Sequence, residues 1–405
     1  MRTVGVEEEL LLIDRESGEP RALSSAVLAR AAKDAAASPG AERHADNYRD
    51  PEEETFEKEL QGQQLEFATQ PRKGMDSLAE EIARWRSEAA RHAGDLGAAV
   101  AALATSPLPV SPSINVGSRY QWMEEQFGLT TQEQLTCGCH VHVSVESDDE
   151  GVAVLDRIRP WLSALVALSA NSPYWQGNDS RYNSYRSRVW GRWPMAGPTQ
   201  IFGSAARYEE LVGDMVDTGV LRDRGMVYFD ARLSHRYPTV EIRVADVCLE
   251  ASTTVLIAAL SRALVETAAR EWRAGRPAPG FDVSLLRLAA WRAARSGLED
   301  TLLDPRTMRP APCGEVMAGL LDHVRDALEE AGDLDMARKR TAELLEHGTG
   351  ARIQRELLDR TGSLSAMVAE CAGFDFSVTS DHYFPWLTSQ GHSPYAWSVL
   401  GAAAQ

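Results

Sequence analysis

Lysine is almost missing from this chain: it stands only at positions 33, 58, 73 and 339, so arginine carries nearly all the positive charge. Lys and Arg together number 42 against 59 Asp and Glu, which leaves a net charge of −17. That balance disfavours a nucleic-acid partner, because a phosphate backbone needs a basic stripe. It does not exclude a nucleotide, which acidic residues can reach through Mg²⁺. Cysteine is also sparse: five residues, at 137, 139, 248, 313 and 371, an odd and scattered set that predicts reduced thiols. No run looks like the roughly 18 apolar residues that span a bilayer, so no membrane partner is expected. The N-terminal MRTVGVEEEL lacks the basic-then-apolar pattern of a signal peptide, and a cytoplasmic location is expected. There is no GxxxxGK[ST] motif, which excludes a P-loop, and no internal repeat.

What is present is ordinary for a globular protein: 44% apolar and 25% charged residues, in a chain long enough for one large domain or two smaller ones. The pattern predicts strands at 4–14, 61–70 and 136–146, and a hairpin over 227–247 in which VYFDARLS and TVEIRVADV meet around HRYP. Helices are predicted at 23–37, opened by Ser24 or Ser25, and at 75–104, 151–171, 251–273, 283–296, 314–331, 333–346 and 350–371. Between them lie an acidic stretch, NYRDPEEETFEKEL, and a long loop, SPYWQGNDSRYNSYRSRVWGRWPMAGP, rich in Trp, Tyr, Arg and Gly. The expected organisation is one catalytic domain over 1–372, sheet-rich to 250 and helical after it, with an aromatic tail over 373–405.

Three consecutive carboxylates, Glu7, Glu8 and Glu9, interrupt the first strand, VGVEEELLLID. Alternate strand residues share a face. Val4, Val6, Leu10 and Leu12 therefore share a face with Glu8, and Glu7 and Glu9 take the other. Glu8 then needs an arginine from a covering helix or an exposed margin. In QQLEFAT, Leu65 and Phe67 oppose Gln64 and Glu66. In CGCHVHVSV, Cys139, Val141, Val143 and Val145 oppose His140, His142 and Ser144. In TVEIRVADV, Val240, Ile242 and Val244 oppose Glu241 and Arg243. A plain antiparallel sheet with one wet side explains any one of these strands. Four together, with no lysine among them, are better explained by a cation site. Glu7, Glu9, Glu66, Glu241 and a histidine would repel or desolvate one another without one. Oxygen-rich ligands suit Mg²⁺ or Mn²⁺, and Arg243 beside them suits a phosphate oxygen. Tetrahedral zinc on Cys-Gly-Cys-His-Val-His is disfavoured, because alternation sends its cysteines and histidines to opposite faces.

GVEEE, QQLEFAT, CGCHVHVSV, SANSPYWQG…SYRSRVWGRWP and RYPTVEIRVADV together resemble the carboxylate–amine ligase family, in its glutamate–cysteine ligase type 2 branch, over about residues 1–360. The resemblance implies an α+β fold similar to the catalytic domain of glutamine synthetase: a curved, mainly antiparallel sheet forming a funnel, with helices on its outer face. It implies ATP-dependent amide formation through an acyl phosphate, with ATP and Mg²⁺ (or Mn²⁺), and with glutamate and cysteine as the carboxylate and amine substrates. By motif, Glu7, Glu9, Glu66, His140 and Glu241 correspond to cation ligands and Arg243 to a phosphate contact. Arg186 and Arg188 are candidates for a carboxylate clamp. Asn171, Trp175 and Tyr182 are weaker substrate candidates, and His142 is either a nucleotide-side ligand or a support for one. The expected catalytic group is Glu66, Arg243 and Arg186. Two departures from the branch, Ser144 and the NDSRY stretch with Arg181, bear on the substrates rather than on the ATP chemistry. Two other functions fit the same superfold: a nucleotide-bound amide hydrolase and a non-catalytic Mg-nucleotide binder. The helical last third offers surfaces for a homodimer.

Overall fold

The computed structural model describes residues 1–37 and 56–373. Most of the acidic stretch and nearly all of the expected aromatic tail lie outside the described residues. Seven strands form one antiparallel sheet: β1 (Val4–Asp14), β2 (Glu57–Lys58), β3 (Gln64–Ala68), β4 (Ala98–Ala101), β5 (Gly138–Ser144), β6 (Ala231–Leu233) and β7 (Thr239–Asp246). Their order is β2-β3-β1-β5-β7-β6, and β4 pairs with the far end of β1. The predicted hairpin is β6–β7, with Ala231 opposite Ile242 and Leu233 opposite Val240. Long helices cover one face, so the class is α+β.

β1 is central because it is apolar enough to be covered. Val4, Val6, Leu10 and Leu12 are all but fully buried, each worth about 1.5–3 kcal/mol on transfer from water. The helix Ala251–Arg273 packs against β1, β5 and β7 on that side. Contrary to the sequence reading, this helix is by length and composition long and apolar enough to cross a membrane; 83% of its apolar stretch is buried inside the protein, as in a core helix.

The helix predicted over 75–104 ends at Gly94. Gly97 turns the chain with a φ of +71°, and Ala98–Ala101 returns as β4, with Leu12 opposite Val100. The AAVAALA segment is apolar on every side, so periodicity cannot separate a buried strand from a buried helix there. The predicted helices 151–171 and 314–331 are each broken: Asp148–Ile158 and Leu162–Ser169 flank a short 3₁₀ turn, and Cys313–His323 is followed by Arg325–Ala331.

One irregularity reshapes the site. Cys139 lies opposite Ala245, but Val141 lies opposite Ile242, so Arg243 and Val244 together face one residue, His140. This β-bulge breaks the alternation in β7. Ala245 joins Cys139 on the helix-covered face, and Asp246, opposite Gly138, comes to the polar face. Val244, expected beside Val240 and Ile242, instead lines a cavity with Arg186.

Candidate active site

Glu7, Glu9, Glu66, His140, Glu241 and Arg243 line or border one cavity of about 220 Å³ on the polar face. The sheet register brings them together: Glu7 pairs with His140, Glu9 with Glu66, and His142 with Glu241. The expected single ligand set divides into two triads. Glu7, His140 and Glu241 place ligand atoms within 4.8 Å of one another, and so do Glu9, Glu59 and Glu66. Glu59 was missed in the sequence because it precedes β3 in a stretch with no periodicity to mark it.

The first triad carries its own counter-charges. Glu7 lies 3.2 Å from His140 Nδ1 and 3.1 Å from His142 Nε2. Burial alone would raise the Glu7 pKa, but the charges of and hydrogen bonds from His142 and His140 outweigh it and hold the carboxyl well below the usual range. Arg232 donates twice to Glu241, at 2.7 and 3.1 Å, and Arg243 donates to it as well. Burial again opposes, yet Arg243 and Arg232 keep the Glu241 pKa low. Burial and the nearby Arg243 charge push His140 down to about 4. Its Nε2 is buried with no hydrogen-bond partner.

The second triad is compensated far less: the charges of Arg186 and Arg243 pull Glu9 down without outweighing its burial. Among the described residues, Glu9, Glu59 and Glu66 form no ion pair. Glu9 accepts from the backbone N–H of Gly138 at 2.8 Å. Burial, then the Glu59 charge, raise Glu9 to about 7. Burial, then Glu59, Glu7 and Glu9, raise Glu66 well above the usual range. Three carboxylates gathered this closely, two of them with raised pKa, are a donor set that would suit a hard divalent cation. The orphaned imidazole nitrogen of His140 fits the same conclusion for the first triad.

A second cavity, of about 310 Å³, adjoins the first; Arg243, Trp190 and Trp193 line both. It receives Arg186 and Arg188 from the helix Arg186–Trp190. Arg186 is 2% exposed and its Nε has no hydrogen-bond partner. Gly138 makes room for it, because a Cβ there would overlap its guanidinium. Asp246, delivered by the bulge, anchors the loop that carries it. The Asp246 carboxylate accepts from the Asn171 N–H and from the hydroxyls of Ser172 and Ser184 at 2.7–2.9 Å. Ser172 Oγ in turn accepts from the Arg186 N–H.

Four of the expected site residues have other tasks. The Asn171 amide donates to the carbonyls of Ala102 and Val247 and accepts from Gln354 at 2.7–2.8 Å, which occupies it fully as a tie between segments. Trp175 packs on Tyr185 beside a separate groove with Gln176. Tyr182 accepts from Trp291 Nε1 and its carbonyl accepts from Arg355. Neither ring lines the two cavities. His142 is held through Nδ1 by Thr239 Oγ1 at 3.0 Å and stands behind Glu7. That is the position of a residue that orients Glu7, and His142 does not line the cavity. Arg232 was also missed, although the hairpin register places it opposite Glu241.

Comparison with known proteins identifies the family and the fold. The sequence profile described as glutamate-cysteine ligase family 2 matches residues 3–370. A Streptomyces avermitilis protein provisionally named glutamate–cysteine ligase 2-1 is 67% identical over 371 residues, covering 92% of this chain and 98% of its own. A Streptomyces coelicolor protein provisionally named glutamate–cysteine ligase 2 is 64% identical with the same coverage. Among solved structures, the Francisella tularensis glutamate–cysteine ligase in complex with AMP is similar in fold, with a TM-score of 0.66 at 12% identity over 96% of this chain and 91% of that one. A Pasteurella multocida bifunctional glutathione synthetase also has a TM-score of 0.66, at 15% identity, covering 93% of this chain and 52% of the other. The chain belongs to glutamate-cysteine ligase family 2, a family of ATP-dependent carboxylate–amine ligases.

Proposed function

We propose that this enzyme joins the side-chain carboxylate of glutamate to the amine of cysteine at the junction of the two cavities. The observation that carries the reading is the adjacency of a carboxylate-rich cavity to an arginine-rich one, with Arg243 in the wall of both. Glu9, Glu59 and Glu66, with Glu7, His140 and Glu241, would hold Mg²⁺ or Mn²⁺. Bound there, such ions would neutralise the phosphates of ATP and the charge that develops on the transferring phosphoryl group. In this reading the polar face is the inner wall of the funnel.

The chain's own groups take the following parts. Arg186, desolvated and with an unpartnered Nε, orients the substrate carboxylate. Arg243 faces the γ-phosphoryl group, where it offsets the repulsion between two anions. A carboxylate oxygen bonds to the γ-phosphorus as the bond to the β-phosphate oxygen breaks, and ADP leaves. The amine nitrogen then bonds to the acyl carbon, the bond to phosphate breaks, and the nitrogen loses a proton. Trp190 and Trp193 keep water from the acyl phosphate between these steps. No side-chain nucleophile is required. ATP as substrate, and five cysteines free of disulfides, suit the cytoplasm. The test is ADP release from Mg-ATP with glutamate and cysteine, each omitted in turn and replaced by other carboxylate–amine pairs. Release should depend on both substrates; no release with any pair overturns the reading.

A further inference from the structure

The arginine-rich cavity holds one acidic side chain, Asp230, in the segment between the 3₁₀ turn Arg224–Met226 and β6. Its backbone is fully used: the N–H donates to Gly197 and the carbonyl accepts from Arg243. Its carboxylate has no hydrogen bond or ion pair among the described residues. Arg188 and Arg287 line the same cavity and act on it electrostatically without coming within ion-pair distance. Neither has an ion-pair partner among the described residues, and Arg186 has none either. Arg243, by contrast, is engaged by Glu241.

Opposite charges that share one cavity and act on each other would gain by closing into ion pairs. Here a gap is kept between an unpaired carboxylate and unpaired guanidiniums. Burial leaves Asp230 and Arg188 at a cost: it raises Asp230 to about 6 and lowers the Arg188 pKa. A ligand that restores both pairings needs an ammonium for Asp230 and carboxylates for the arginines. Three free guanidiniums against one carboxylate match a molecule with two carboxylates and one ammonium, an acidic α-amino acid.

We infer that Asp230 is the ammonium-recognising residue of the amino-acid substrate, with Arg188 and Arg287 taking the α-carboxylate while Arg186 directs the reacting carboxylate toward Arg243. This rests on the ligase reading for the position of the reacting carboxylate; the recognition of the ammonium does not. Asp230 thereby makes the enzyme choose an amino acid over the same dicarboxylate without its amine.

The experiment compares L-glutamate, glutarate and 4-aminobutyrate, by Mg-ATP-dependent ADP release and by calorimetric binding. The wild type should prefer glutamate over glutarate, and Asp230→Asn should lower that kcat/KM ratio by about 30-fold or more, the loss expected for one partner of a desolvated charge pair. Arg287→Gln, at an exposed position where the fold is safe, should raise KM for glutamate while leaving that for 4-aminobutyrate little changed. Discrimination retained in Asp230→Asn, with an unchanged glutamate KM in Arg287→Gln, overturns the assignment and leaves the ligase reading standing. If the wild type releases no ADP with any amino acid, the ligase reading fails, and binding heats decide the assignment. Glutamate binding by the wild type that is lost in Asp230→Asn supports it; no binding by the wild type, or equal binding by both, overturns it.

Discussion

Glu8 and its neighbour Glu9 stand on opposite faces of one strand and in opposite electrostatic settings. Beneath the sheet, Arg86 from the helix Met75–Gly94 grips Glu8 through two bonds of 2.8 and 2.7 Å. The Thr254 hydroxyl adds a third at 2.6 Å, and the remaining Arg86 donors reach the carbonyls of Cys248 and Leu249. Both charged side chains are fully buried and completely paired. Above the sheet, Glu9 joins Glu59 and Glu66 with no ion pair among the described residues, and the Glu59 charge raises the pKa of both Glu9 and Glu66. The contrast teaches what each carboxylate is for. A buried charge that the fold neutralises itself holds elements in place. A cluster that the fold leaves without an ion pair, in a cavity, offers the donors that the proposed cation needs.

The comparison is broken most sharply by Arg86→Ala. Stranding Glu8 should cost about 3–5 kcal/mol of stability, read as a lower denaturation midpoint at unchanged slope. A loss of under about 1 kcal/mol would mean that Glu8 finds water or a proton instead, and the two faces would not differ as described. Glu66→Gln should do the reverse. Turnover should fall by about 10²–10³-fold, while stability in metal-free buffer holds or rises because a like charge has gone. Retained turnover would remove Glu66 from the site. The smallest effect concerns the cation itself. Mg²⁺ at about 100 times its dissociation constant should stabilise the wild type by about 2.7 kcal/mol, and chelation should reverse this. The Glu9→Gln, Glu66→Gln double variant should show little of that response in a thermal melt; a response equal to that of the wild type would place the ion elsewhere.

Much of the candidate site could be read along the chain because a strand is the simplest geometric code. Alternation alone sent Glu7 and Glu9 to one side and Glu8 to the other, and it grouped Glu66, His140, Glu241 and Arg243 on the same wall. It failed where the backbone left the two-residue repeat. The bulge opposite His140 moved Val244 into the cavity wall and Asp246 to the polar face, and nothing in TVEIRVADV marks it. Residues off the strands escaped as well. Asn171 and Trp175 sit in a segment of suggestive composition but serve packing, whereas Glu59, Asp230 and Arg287 come from three separate segments that no local pattern connects.

The sequence by itself determined the faces of the strands, the absence of a P-loop and the charge types available for chemistry. These follow from covalent geometry and from burial, which act over a few residues. Only the tertiary structure decided which carboxylates would be neutralised. Pairing Glu8 with Arg86 spans 78 residues, and gathering Glu9, Glu59 and Glu66 depends on strand register and on a loop. Coulomb energy at a few ångströms depends on where the partners sit in space, and separation along the chain does not report that distance.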